Sequence, residues 1–167
     1  MPLAGGRAAA APEWTARWCR TASARGAAAA AFAAGSASVL AMAPFFLWPV
    51  LFATLPVLVW LIDGAWERSG RRWLLCFWPG WWFGFGYFVF GLFWIGEAFL
   101  VEADKFAWLL PLAVTLLPAG LALFWSLAAV LARKFWSKGF ARVVALGAAL
   151  ALAEWLRGHV LTGLPWN

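Results

Sequence analysis

Residues 73–95 read WLLCFWPGWWFGFGYFVFGLFWI, twenty-three residues without one charged side chain. Crossing the hydrocarbon core of a bilayer as a helix takes about 20 apolar residues, so this run reads as a membrane span. A spanning segment must satisfy its own backbone hydrogen bonds, which leaves only helices or a closed barrel. The period-two alternation of barrel strands is absent here and elsewhere in the chain. The predicted fold class is therefore all-α, a polytopic helical bundle.

Composition agrees with that reading. Of 167 residues, 65% are hydrophobic and 12% charged, with a mean hydropathy of +0.81, where a water-soluble domain carries roughly 25% charged residues. So much apolar surface cannot be hidden from water in a fold of this size, and the bilayer is the expected solvent. Four further runs match the first: 27–43, 45–62, 106–132 and 140–158. Together they predict five spans in a module over 27–167, preceded by a basic arm over 1–26. An A-x-A at Ala41–Ala43 imitates a signal-peptide cleavage site. Pro44 would follow the cut, however, and another apolar run begins at once, so the first span is read as uncleaved.

The net charge of +6 does not point to nucleic acid, because the basic residues fall between the apolar runs. Arg7, Arg17, Arg20 and Arg25 precede the first span. Arg68, Arg71 and Arg72 lie between the second and third, and Arg133, Lys134, Lys138 and Arg142 between the fourth and fifth. Eleven of the 13 basic residues thus fall on alternate connections. The positive-inside rule then predicts a cytoplasmic N-terminus and a chain end on the outer face.

Several motifs invite over-reading. Gly84-Phe85-Gly86 lacks the third glycine of a dinucleotide loop, and the Gly80 to Gly84 spacing is that of a helix–helix contact. Trp60, Trp73, Trp94, Trp108, Trp155 and Trp166 lie near span ends, where an aromatic belt belongs. Trp81 and Trp82 are deeper and read as packing. Pro56, Pro79, Pro111 and Pro118 are expected to bend their helices. Cys19 and Cys76 have no metal-type spacing and are not expected to pair. No metal or cofactor is expected.

The last stretch, EWLRGHVLTGLPWN (154–167), places polar chemistry after a run of Ala, Leu and Val. From Phe140, Glu154 lies about 21 Å along the helix, near the outer interface. Arg157 follows at i+3 on the same face, which makes an ion pair available; equally, its planar fork suits a lipid phosphate. His159 has no acid or nucleophile at a telling spacing and reads as interfacial. Gly158 is expected to end the helix in the left-handed cap conformation, and Thr162-Gly163-Leu164-Pro165 to form a turn that sets Trp166 at interface depth.

This stretch strongly resembles the E-x-L-R-G-x-x-x-T-G-[FL]-P-W motif of bacterial apolipoprotein N-acyltransferases. LAMAPFFLWPVLFATLPVL (40–58) resembles that family's A-x-x-P…W-P corner, and GWWFGFGYFVFGLFWI (80–95) its glycine- and aromatic-rich third span. The likeness runs from about residue 33 onward. It implies an inner-membrane enzyme of lipoprotein maturation, with membrane phospholipid as acyl donor and apolipoprotein as acceptor. Family chemistry passes through a cysteine thioester, assisted by a glutamate and a lysine of a periplasmic nitrilase-like domain. Cys19, Cys76, Glu13, Glu97, Lys105 and Lys138 do not match those three positions, so no catalytic residue is assigned. The resemblance instead marks Glu154, Arg157, Gly158, Thr162, Gly163, Pro165 and Trp166 as a lipid-contact or domain-junction motif. It also implies that the chain is a fragment or truncated product, expected to lack acyl-transfer activity alone. The alternatives are a non-catalytic membrane scaffold and a small transporter. The transporter requires ionisable groups deep in the spans, and the first, third and fourth spans have none.

Overall fold

The computed structural model describes residues 11–160 apart from Ser69, Arg71, Glu102 and Lys138. Six helices carry the fold: α1 (Ala11–Thr21), α2 (Ala24–Ser38), α3 (Leu51–Arg68), α4 (Phe77–Gly91), α5 (Leu110–Lys134) and α6 (Ala141–Arg157). Short helical turns lie in the connections from α2 to α5, and there is no strand among the described residues. Three stretches, Ala24–Ala41, Trp48–Arg68 and Asp104–Lys134, are long and apolar enough to cross a membrane. α4 has 15 residues and α6 has 17, so they reach about 22 and 25 Å against a core of about 30 Å. Large apolar side chains stand on the outside of the bundle: Phe52, Leu116, Leu127 and Val144 are all exposed, as lipid-facing side chains are.

α4 packs between α2 and α5, and α6 lies against α5. Glycine decides how closely these helices approach. A Cβ on Gly35 of α2 would fall 1.9 Å from the Phe83 carbonyl oxygen, and one on Gly86 of α4 would fall 2.3 Å from that of Phe32. On the other face of α4, a Cβ on Gly80 would lie 2.8 Å from the Trp125 carbonyl oxygen. Gly84 meets Ala122 and Trp125 in the same way. The Gly80–Gly84 pair is thus a helix contact, as its spacing implied. With no hydrophobic force between helices in lipid, such close approach supplies the dispersion contacts that hold them. Ser38 also donates to Thr54 at 2.8 Å, joining α2 to α3 in a buried position.

Four features differ from the sequence reading. The basic arm contains α1, which is packed on α3: Cys19 and Ala22 are buried, and Gly64 of α3 lets the Arg20 backbone approach. Burial pushes the Cys19 thiol above its ordinary range, which keeps it protonated and inert. α3 does not stop at residue 62 but runs through Asp63 to Arg68. Pro56 and Pro118 are inside helices. Pro79 and Pro111 instead fall in the first turns of α4 and α5, where proline is tolerated.

The fourth is Gly158, whose φ of −72° and ψ of −11° are right-handed. The expected left-handed cap is not formed, because the chain keeps turning: Gly158 N–H donates to Glu154 O, and His159 and Val160 N–H both donate to Leu156 O. The Glu154 and Leu156 carbonyls are thus satisfied without a reversal.

Candidate functional site

Two polar clusters interrupt the apolar bundle. The first is built on the terminal motif. Glu154 and Arg157 lie one turn apart on α6, and their side chains meet: Arg157 Nε donates to Glu154 Oε2 at 3.0 Å and Nη2 to the same oxygen at 2.5 Å. Arg157 is only 6% exposed, while the Glu154 side chain keeps 35%. The other carboxylate oxygen, Oε1, accepts from Trp125 Nε1 of α5 at 2.6 Å. The Arg157 guanidinium lies over the Phe88 ring of α4, 5.5 Å from its centroid. Trp125 in turn stacks on Phe83 and Tyr87 of α4, at 5.6 and 4.9 Å.

Glu154 and Arg157 therefore clamp α6 to α5 and α4. The carboxylate takes charge-assisted donors from two directions, and the guanidinium also lies over an aromatic ring. Replacing Trp125 with Phe keeps the stacking and removes one donor. A hydrogen bond to a charged group contributes about 1.5–3 kcal/mol, and water at the half-open carboxylate reduces this to about 1 kcal/mol. Thermal unfolding in detergent should show that loss, and Trp125→Phe should add little to Glu154→Ala, because both remove the Trp125–Glu154 contact.

His159 accompanies the clamp without joining it. Its ring stacks on Trp155 at 4.4 Å, and Nδ1 lies 2.7 Å from the Trp155 carbonyl oxygen. Thr162, Gly163, Pro165 and Trp166 lie outside the described residues. Trp81 stacks on Phe85 at 5.0 Å and meets Trp82 edge-on at 4.9 Å, so this pair packs as expected.

The second cluster was not anticipated. Asp63, near the end of α3, is the meeting point of three arginines and a tryptophan. Arg142 of α6 donates to Oδ2 at 2.5 Å, Arg133 of α5 approaches Oδ1 at 3.4 Å, and Trp136 Nε1 donates to Oδ1 at 2.8 Å. Arg20 of α1 is 4.0 Å away. Arg133 is also sandwiched by Trp66 and Trp136, with its guanidinium 4.1 and 5.6 Å from the ring centroids. Arg68 Nη1 donates to the Arg20 carbonyl at 2.9 Å. One carboxylate thus gathers the ends of α1, α3, α5 and α6, and it collects basic residues from two separate segments, the N-terminal arm and the connection between α5 and α6. A signal was available: an acid at the end of an apolar run, on the side where the charge pattern puts eleven basic residues, should attract them.

No group of three metal-ligating side chains occurs among the described residues. Fold and clusters together define a helical membrane module whose polar groups fasten helix ends. The chain belongs to the apolipoprotein N-acyltransferase N-terminal domain family, whose model matches residues 34–167. It is 57% identical over 82% of its length to the apolipoprotein N-acyltransferase of Rhodopseudomonas palustris, covering 26% of that protein. It is also 56% identical over 83% of its length to that of Brucella melitensis and 53% over 82% to that of Rhizobium leguminosarum, covering 27% and 26% of them. The chain thus spans about a quarter of the length of the relatives it matches.

Proposed function

We propose that this chain forms the membrane-embedded N-terminal part of an enzyme that moves a fatty acyl chain from phospholipid to the α-amine of a diacylglyceryl-cysteine lipoprotein. The observation that carries this reading is the 57% identity across 82% of the chain to a protein named for that activity. In the proposed reaction a cysteine thiolate attacks the phospholipid ester, a lysophospholipid leaves, and the lipoprotein amine then takes the acyl group from the thioester. No residue of this chain is assigned a bond-making role. Its work is to hold the membrane end of the enzyme. In this reading residues 1–26 are cytoplasmic, α2 to α6 supply five spans, and the motif after Glu154 lies on the periplasmic face of the inner membrane.

The clamp of Glu154, Arg157, Trp125 and Phe88 gives the terminal motif its role. It fixes the direction in which the chain leaves α6, so that Gly158, Thr162, Gly163, Pro165 and Trp166 shape the junction beyond the span and its lipid contacts. The test is a chimera in which residues 34–167 replace the matching segment of the Rhodopseudomonas palustris enzyme, expressed in a strain depleted of its own N-acyltransferase. Growth and N-acylated lipoprotein are expected from the chimera, with at least a tenfold loss of acylation on Arg157→Ala. An inactive chimera that reaches the membrane intact would defeat the functional reading. Full acylation by the Arg157→Ala chimera would defeat the role given to the clamp.

A further inference from the structure

The Asp63 cluster holds more positive charge than its carboxylate can neutralise. A cleft of about 850 Å³ opens against it, lined by Arg20, Asp63, Glu67, Arg133, Ser137 and Arg142, among others. Three guanidiniums less the carboxylates of Asp63 and Glu67 leave one positive charge on its wall. The arginines are also short of acceptors: among the described residues, buried Nε atoms of Arg20, Arg133 and Arg142 have no hydrogen-bond partner. Arg20 and Arg142 keep 40% and 24% of their side chains exposed, so both can present donors to a bound group while Arg133 stays sandwiched between its tryptophans.

We propose that this cleft binds a phosphate-bearing anion through Arg20 and Arg142. The planar guanidinium fork matches phosphate oxygens, and the volume lies within the range of small-molecule sites. A phosphodiester monoanion would bring the wall to neutrality, whereas a dianion would overshoot it. The position narrows the source further. The cleft lies at the ends of α1, α3, α5 and α6, beside Trp66 and Trp136, which is the depth at which interfacial indoles and phospholipid headgroups meet. Basic pockets between membrane helices are a general means of holding anionic lipid. An anion here would act as a fourth tie on the four helix ends already gathered by Asp63. The site is remote from the terminal motif and does not depend on the acyl-transfer reading, so failure of one leaves the other standing.

The test is native mass spectrometry of the purified chain released from detergent, with dioleoyl phosphatidylglycerol and dioleoyl phosphatidylcholine as probes. Phosphatidylglycerol should be retained at least tenfold more tightly than phosphatidylcholine, and that preference should vanish in Arg20→Gln/Arg142→Gln. Arg17→Gln/Arg25→Gln removes the same charge from exposed α1 and α2 positions and should retain the lipid as the parent does. Because Arg142 holds Asp63 directly, Arg20→Gln alone serves where the double variant does not fold, with an expected loss of about threefold. A second arm adds millimolar inorganic phosphate to lipid-free protein and reads the unfolding temperature. Stabilisation there, lost in Arg20→Gln, without lipid retention would assign the site to a soluble phosphate. Equal lipid retention by parent and cluster variants, equal loss in the Arg17/Arg25 control, or no response in either arm would overturn the proposal.

Discussion

Asp63→Asn should be the most damaging single polar substitution in the chain. The asparagine fits the same space, so Trp136 Nε1, now 2.8 Å from Oδ1, can still donate to an amide oxygen. What disappears is the one negative charge shared by Arg142, Arg133 and Arg20. Removing one partner of a buried ion pair costs about 3–5 kcal/mol, because the surviving charge is left uncompensated. Arg133 is largely buried, with 11% of its side chain exposed, while Arg20 keeps 40% and can turn to water. The expected loss is therefore at the low end, about 3 kcal/mol. It should appear as a lower unfolding temperature in detergent. Asp63→Asn/Arg142→Met should recover part of it, since an apolar side chain of similar length leaves no charge stranded beside the amide. A variant within about 0.5 kcal/mol of the parent would show that water or lipid, not Asp63, neutralises these arginines.

Asp63 also shows where sequence reasoning stopped. Apolar runs give away helices in a membrane, because the bilayer permits little else, and the basic connections sort their ends by side. The second apolar run ends at Ile62, one residue before Asp63. An aspartate there looks like the start of a loop, yet the helix continues for five more residues to Arg68. The partners that explain it are 70 and 79 residues away at Arg133 and Arg142. Spacing along one helix could place Arg157 beside Glu154, but nothing in it could supply Trp125, 29 residues earlier on another helix. Gly158 failed for a related reason. Glycine permits a left-handed cap, but the conformation taken depends on what the following residues bond to, and here they continue the turn.

Gly35→Ala should open the bundle between α2 and α4. The added methyl would lie 1.9 Å from the Phe83 carbonyl oxygen, 2.8 Å from its carbon and 3.1 Å from the Phe83 Cα. These are backbone atoms of a neighbouring helix, so no side chain can swing aside to make room. The helices must separate by more than an ångström, and that motion also loosens the second close approach, where Gly86 meets the Phe32 carbonyl. Overpacking a filled interior costs about 1–3 kcal/mol and occasionally more. With two backbone contacts disrupted together, about 3 kcal/mol is expected, read as a lower unfolding temperature. Gly120→Ala is the internal control. It makes the same chemical change inside α5, but a Cβ there meets nothing within 4 Å, and alanine is the better helix former by up to about 1 kcal/mol. It should leave the unfolding temperature unchanged or raise it. If both substitutions lower it alike, glycine acts here through helix flexibility and not through close approach, and the account of how α2, α4 and α5 are held together would have to be abandoned.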